Sequence, residues 1–264
     1  MSRKIRVLAV FMAVVMVVCC AVPALSASKK GRRKKVQSRE AQIEDAETQY
    51  KRGLAYINGD GVNQNYAEAV KWFMKAAEQG HTKAQSCLGF AYMQGEGVRQ
   101  DYTEAVKWLI RAARQGDAGA QYNLGLMYNQ GYGVEQDSSE AIRWWRKAAE
   151  QGFVIAQNNL GAMYGNGWGI RQDFAESVKW YRKAAMQGNA VAQYNLGFAY
   201  HKGRGVKQDY SEAVKWYSKS SKQGDASAQH NLGVMYFNGL GVTPNYSEAF
   251  KWWRMAAQQG HTKS

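Results

Sequence analysis

The feature that most constrains this chain is a sequence pattern that returns every 36 residues, six times, without an insertion or a deletion. A tryptophan holds the same place in every copy, at Trp72, Trp108, Trp144, Trp180, Trp216 and Trp252. A glycine recurs near the middle of each copy, at Gly53, Gly89, Gly125, Gly161, Gly197 and Gly233. A period of this length is typical of solenoids, in which stacked units share one continuous core. The sequence therefore predicts six units, at 45–80, 81–116, 117–152, 153–188, 189–224 and 225–260.

The first half of a unit predicts a helix, as the third copy illustrates. Ala120, Leu124 and Tyr128 are four residues apart, so they lie on one apolar stripe. Asp117 is expected to cap this helix, because its carboxylate can accept from the unbonded N–H groups of the first turn. Gly125 falls in the middle of the helix, where glycine costs about 1 kcal/mol relative to alanine. A cost repeated in every copy indicates that a second helix approaches closely at this point.

The second half of the unit predicts another helix, separated from the first by a turn. Gly131 and Gly133 favour that turn, since glycine adopts positive φ at little cost. Asp137 and Glu140 have the spacing of a capping box. The apolar face that follows stops before Gly152, which is expected just beyond the end of the helix. Each unit is therefore predicted to be a helix–turn–helix hairpin that needs its neighbours to cover its apolar surface.

Four motifs recur in register across Asp45–Gly260: A-x-A-Q-x-x-L-G, Y-x-x-G-x-G-V, D-Y-x-E-A-V-K-W and K-A-A-x-Q-G. Together they resemble the Sel1-like repeat family, relatives of the tetratricopeptide repeats. The resemblance implies an all-α fold, a right-handed α/α superhelical solenoid of six 36-residue helix–turn–helix repeats. It also implies a role in protein–protein interaction, often as an adaptor or in assembly.

Residues 1–27 have the pattern of a secretory signal peptide. Three basic residues precede the uncharged apolar run 7–22, which is followed by small residues suited to cleavage. The sequence therefore predicts a secreted or periplasmic protein. The alternative is an uncleaved inner-membrane anchor with cytosolic repeats, because basic residues directly after an apolar run tend to stay in the cytoplasm.

Residues 28–44 are predicted to be a basic, disordered linker. The formal net charge is +14, but residues 1–39 carry ten basic side chains and no acidic one, so residues 40–264 keep only +4. A contact with an anionic surface is the sharper interpretation of this linker. It would use Lys29, Lys30, Arg32, Arg33, Lys34 and Lys35. We expect no nucleic-acid partner, because the repeats carry no groove-reading motif.

The search for catalytic or metal-binding patterns leads to a non-enzymatic prediction. Only Cys87 remains once the predicted signal peptide is removed, and the four histidines have no metal-ligand spacing. The repeated G-x-G belongs to a turn between helices, because no strand precedes it and the third glycine of a dinucleotide site is missing. We therefore predict no catalytic residues, no metal and no cofactor.

The face of the first helices away from the apolar stripe is the predicted partner-binding surface, on the concave side of the solenoid. Asparagines recur there with aromatic neighbours, an arrangement that suits the donors and acceptors of an extended peptide. The predicted residues are Asn123, Asn159, Asn195, Asn231, Tyr122, Tyr194, His230, Phe90 and Phe198. Two alternatives stay open: the asparagines serve the fold by bonding a neighbouring unit, or the surface binds an envelope glycan.

The last predicted helix is unusually apolar, which predicts self-association as a homodimer through the C-terminal repeat. Phe250 stands where other units have Val or Ile, and Trp253 follows the recurring tryptophan. Met255 stands where the first five units have Lys or Arg. The alternatives are that the tail, residues 261–264, covers this face, or that Met255 is simply tolerated.

Overall fold

The computed structural model describes residues 44–260, which form twelve α-helices of 13 residues each and, in that range, no strand. The helices are α1 Ala46–Asn58, α2 Tyr66–Glu78, α3 Thr82–Gln94, α4 Tyr102–Arg114, α5 Ala118–Gln130, α6 Ser138–Glu150, α7 Val154–Asn166, α8 Phe174–Met186, α9 Ala190–Lys202, α10 Tyr210–Lys222, α11 Ala226–Asn238 and α12 Tyr246–Gln258. The predicted signal peptide, nearly all of the predicted linker and the tail lie outside the described residues. None of the helices in the described range is long and apolar enough to cross a membrane.

The described chain divides into two compact units. The N-terminal unit comprises residues 44–127 and 131–135, and the C-terminal unit comprises residues 128–130 and 136–260. In the N-terminal unit α1 pairs with α2 and α3 with α4, while α2 also packs on α3. In the C-terminal unit α7 pairs with α8, α9 with α10 and α11 with α12, and each pair packs on the next. The predicted hairpins and their stacking are confirmed within each unit.

The helix boundaries follow the predicted caps. Asp117 caps α5 by accepting from the Ala120 amide at 2.7 Å, and the Asp101 carboxylate accepts from the Glu104 amide at 3.0 Å at the start of α4. The capping box is completed on only one side. The Asp101 N–H donates to the Tyr92 carbonyl of the preceding helix, which leaves the Glu104 carboxylate to pair with Lys107 Nζ at 2.6 Å. The same arrangement recurs along the chain, so the glutamate joins the helix surface rather than its cap.

The mid-helix glycines lie where a bulky side chain of the paired helix crosses. A Cβ built on Gly161 would lie 2.5 Å from Cδ1 of Tyr181, and one on Gly89 would lie 2.6 Å from Cγ of Leu109. Real Cβ atoms do not approach other atoms so closely, so only glycine admits the second helix at this distance. The predicted close approach is confirmed in both units.

A buried glutamine on each of α3, α7, α9 and α11 ties three helices together. In the C-terminal unit, Gln193 on α9 donates to the Ala185 carbonyl at the end of α8, 3.1 Å away. Gln223, just after α10, donates to Oε1 of Gln193 at 2.8 Å. The buried amide is thus satisfied on both sides, as a polar group in a core must be. Equivalent bonds recur for Gln85, Gln157 and Gln229, which explains the glutamines of the repeated motifs.

The recurring tryptophans lie at the edge of the core rather than at its centre. Trp108, Trp144 and Trp180 are buried, whereas the other three are only partly buried. The ammonium of Lys147 lies 4.4 Å from the centre of the Trp144 ring. A lysine covers apolar surface with its stem while its charge stays hydrated and attracted to the ring. The residue after the tryptophan, such as the fully buried Tyr217, is the one that crosses the mid-helix glycine.

Candidate binding surface

The predicted surface residues of the N-terminal unit differ in accessibility. Tyr122 and Asn123 on α5 are only 1% and 2% exposed. A partner therefore has no access to their side chains, and the prediction that they bind a partner is wrong for this structure. Phe90 on α3 is partly buried and retains an accessible edge.

In the C-terminal unit the asparagines fall into two groups. Asn231 on α11 donates to the hydroxyl of Tyr217 on α10 at 3.2 Å, so it bonds the preceding repeat. Asn159 on α7 and Asn195 on α9 are partly exposed. Neither of their amides has a hydrogen-bond partner among residues 44–260. Asn231 therefore stabilises the fold, while Asn159 and Asn195 present unused hydrogen-bond donors and acceptors at the surface.

Aromatic side chains accompany the unused amides. The rings of Tyr194 and Phe198, both on α9, lie 6.4 Å apart and are partly exposed. The guanidinium of Arg204 lies 5.5 Å from the centre of the Phe198 ring. The structure therefore combines one unused amide, two ring faces and one cation on and just after α9 of the C-terminal unit. His230 lies one turn into α11, partly buried, and its backbone carbonyl accepts from the indole of Trp253.

The sequence analysis missed a network beneath this surface. The hydroxyl of buried Tyr217 contacts Nδ1 of His201 at 3.4 Å as well as Asn231, and its ring lies 5.9 Å from that of Tyr194. Burial raises the pKa of Tyr217 well above its ordinary value and lowers the pKa of His201. Both groups are therefore neutral near pH 7 and support Tyr194 and Asn231 by hydrogen bonding and packing. The sequence pattern that could have identified Tyr217 is the bulky residue that follows the recurring tryptophan in each repeat.

Shallow cavities occur at equivalent places in repeats two and four. Each lies where the turn meets the second helix, with volumes of about 540 and 600 Å³. In the first, Asp101 caps α4 and Glu104 pairs with Lys107. Both carboxylates therefore stabilise the helix, one as its cap and one in an ion pair, and they do not form a pair suited to acid–base catalysis. No group of three potential metal ligands occurs among residues 44–260.

The predicted self-association residues differ in exposure and in packing. Phe250 is 61% exposed, although the equivalent residues Val70, Val106, Ile142, Val178 and Val214 are at most 9% exposed. Met255 is also exposed. Trp253 instead packs against Gly233 and donates from Nε1 to the His230 carbonyl at 3.0 Å, so it belongs to the α11–α12 pair.

Twelve equal helices in hairpins, with accessible polar and aromatic side chains on the first helices, define an all-α solenoid of the kind built for binding. The Sel1 repeat model matches six times, at residues 46–81, 82–117, 118–153, 154–189, 190–225 and 226–261. The chain therefore belongs to the Sel1 repeat family. The family matches begin one residue later than the units derived from the sequence pattern.

Two solved structures show how similar other proteins are to this chain. The first is c5321, a protective antigen of uropathogenic Escherichia coli with an SLR fold, at 42% identity and a TM-score of 0.81. The match covers 83% of this chain but 47% of c5321, so this chain spans about half the length of that protein. The second is a Sel1 repeat protein from Oxalobacter formigenes, at 36% identity and a TM-score of 0.70, covering 83% of this chain and 87% of the other. None of the curated proteins is similar enough to count as a match.

Proposed function

We propose that this protein is an exported, non-enzymatic scaffold that binds a protein or peptide partner through the first helices of its repeats. Sel1 repeat solenoids are commonly protein-interaction scaffolds, and the chain contains six such repeats. The observation that carries the proposal is the unbonded, partly exposed amide of Asn195, on the same helix as the rings of Tyr194 and Phe198. A second such amide, Asn159, occupies the equivalent position on α7.

The chemistry of this surface suits an extended peptide. Each primary amide offers two donors and one acceptor, which match the carbonyl and N–H groups of a peptide backbone. Tyr194 and Phe198 add rigid apolar area, which contributes to affinity at little cost in side-chain entropy. Arg204, held against the Phe198 ring, adds a cation for a carboxylate of the partner.

A binding experiment tests the role of the two amides. Asn159→Ala combined with Asn195→Ala should weaken capture of the partner recovered from envelope extract, while the melting temperature stays nearly unchanged. Losing two hydrogen bonds costs about 1–3 kcal/mol in total, or roughly ten- to a hundredfold in affinity. Titration calorimetry against the purified partner measures that change.

Asn231→Ala is the matched control. It removes the bond to Tyr217 and should therefore lower the melting temperature. If the double variant loses stability as Asn231→Ala does, the amides belong to the fold and the proposed surface is wrong. If a glycan array binds the chain and envelope proteins do not, the glycan-binding alternative replaces the peptide proposal.

Export is a separate part of the proposal and rests on the pattern of residues 1–27. The relative c5321 is a protective antigen, and an antigen that protects must be met by the immune system, which fits an exported chain. The intact mass of the native protein tests this part directly. A mass that retains Met1, together with fractionation to the inner membrane, would favour the anchored alternative. Binding of the basic segment 29–35 to anionic vesicles would test the proposed surface contact.

We further propose that the chain forms a homodimer through the open face of α12. In the C-terminal unit, α11 covers the corresponding face of α10, where Val214 packs among Ala228, Leu232 and Met235. Among the described residues no helix covers Phe250 in this way. The surface of α1 carries the exposed ion pair Lys51–Glu47, and Arg52 pairs with the partly buried Glu44 just before the helix. Charged groups of this kind suit water better than an aromatic face. A two-fold pairing of α12 with its own copy is therefore favoured over head-to-tail stacking.

Light scattering on the mature protein tests self-association. The wild-type chain should be a dimer at micromolar concentration, and Phe250→Lys should make it monomeric, because two like charges would face each other across the two-fold axis. Met186→Lys is the control, since Met186 is 74% exposed but lies on α8. A wild-type chain that stays monomeric at high micromolar concentration would end this proposal.

A further inference from the structure

In two repeats the residue after the first turn glycine lies on an aromatic ring of the preceding repeat. In the N-terminal unit, Tyr132 stacks on Tyr102, with ring centres 4.9 Å apart and planes 12° from parallel. In the C-terminal unit, the guanidinium of Arg204 lies 5.6 Å from the centre of the Phe174 ring. The ring in each case belongs to the first residue of a second helix. The turn is therefore built to place its residue over a ring.

Repeat four keeps the turn but lacks the ring. Trp168 occupies the turn position, and the residue beneath it is Ser138, the first residue of α6. The first residues of the other second helices are all aromatic, namely Tyr66, Tyr102, Phe174, Tyr210 and Tyr246. The turn still approaches closely, because a Cβ on Gly169 would overlap that of Ser138, as one on Gly133 would overlap the Tyr102 backbone. The exchange of a ring for a hydroxymethyl group thus leaves a ring-sized space next to Trp168.

The exposure of Trp168 agrees with this missing partner. All nine tryptophans lie in the described range, and Trp168, at 60% exposed, is the only one of them classed as exposed. No ring among residues 44–260 stacks on its indole. Exposed tryptophans are strongly over-represented among residues that dominate binding energy in interfaces.

We propose that Trp168 and the space above Ser138 bind an aromatic side chain of a protein partner. The Tyr132–Tyr102 pair shows that an aromatic ring fits this place. Tyr132 occupies the turn position equivalent to Trp168, and Tyr102 occupies the helix position equivalent to Ser138. The carboxylates at the start of α6 are already used: Asp137 caps the helix, and Glu140 pairs with Arg143 at 2.9 Å. A sugar would need such groups free for its hydroxyls, so a phenol or phenyl ring is the better occupant.

This inference deepens the proposed partner binding but uses residues other than the amides of α7 and α9. Its test needs only small probes and is therefore independent of export and of the partner's identity. In ¹H–¹⁵N spectra of the full chain, N-acetyl-tyrosinamide should shift the indole N–H signal of Trp168, which is identified by its loss in Trp168→Ala. Half-saturation is expected at roughly millimolar probe, as is usual for a ligand of this size. N-acetyl-leucinamide should leave the signal in place.

Ser138→Tyr provides the decisive variant, since it restores the ring that other repeats carry at this position. It should raise the melting temperature and weaken probe binding about tenfold, because an internal stack then competes with the probe. Ser139→Tyr is the matched control on the next residue, and it should leave probe binding unchanged. The proposal is wrong if Ser138→Tyr leaves the probe response intact, or if it lowers the melting temperature. A response of Trp168 to methyl β-glucoside but not to N-acetyl-tyrosinamide would assign the site to a glycan instead.

Discussion

Trp144→Ala is expected to lower the free energy of unfolding by about 3–5 kcal/mol, the usual cost of truncating a buried large side chain. Trp144 is buried, and removing it deletes the apolar area of two fused rings and leaves a cavity. It also strips Lys147 of the ring that its ammonium and stem cover. Urea unfolding followed by circular dichroism measures the change.

Two further variants separate packing from other causes. Trp144→Phe should cost much less than Trp144→Ala, because a phenyl ring keeps part of the packing. It also removes a buried indole N–H that has no acceptor among the described residues. Trp168→Ala should leave stability nearly unchanged, since Trp168 is exposed. A loss for Trp144→Ala as small as that for Trp168→Ala would contradict the placement of Trp144 in the core.

Gly205→Ala is expected to destabilise the C-terminal unit by about 2–4 kcal/mol, from left-handed strain and overpacking together. Gly205 has a φ of +72°, which alanine tolerates poorly. A Cβ there would overlap the Phe174 carbonyl and lie 2.7 Å from the Ala175 amide nitrogen. Backbone atoms at a helix start cannot move aside as a flexible side chain can. The turn would have to lift away from α8.

Gly224→Ala measures the cost of the positive φ alone, without the steric overlap that Gly205→Ala adds. Gly224 has a φ of +92° in the same repeat, but a Cβ on it would meet nothing within 4 Å. Its replacement should therefore cost only the conformational penalty, about 1–2 kcal/mol. Thermal unfolding of both variants gives the comparison. If Gly205→Ala and Gly224→Ala lowered stability equally, the close contact between the turn and the start of α8 would be contradicted.

The sequence by itself determined the architecture, a solenoid of helix–turn–helix repeats, because the same residue pattern recurs six times. The position of Asp117 before an apolar stripe fixed the start of α5, and Gly152 fixed the end of α6. Gly161 and its equivalents predicted, from the sequence alone, that the second helix of each repeat crosses the first at close distance. Such features are local: a carboxylate near unbonded N–H groups, or a residue without a side chain inside a helix, has the same consequence in almost any tertiary setting.

The tertiary structure decided which members of a repeated column are accessible and which are bonded. Asn123, Asn159 and Asn231 occupy one sequence position, yet the first is buried, the second is partly exposed without a hydrogen-bond partner, and the third is bonded to Tyr217. Periodicity cannot distinguish them, because burial and bonding depend on the side chains that neighbouring repeats bring against each position. Trp168 shows the same limit, since its exposure follows from a serine thirty residues earlier in the chain. Only the packing of one repeat on another places those two residues together.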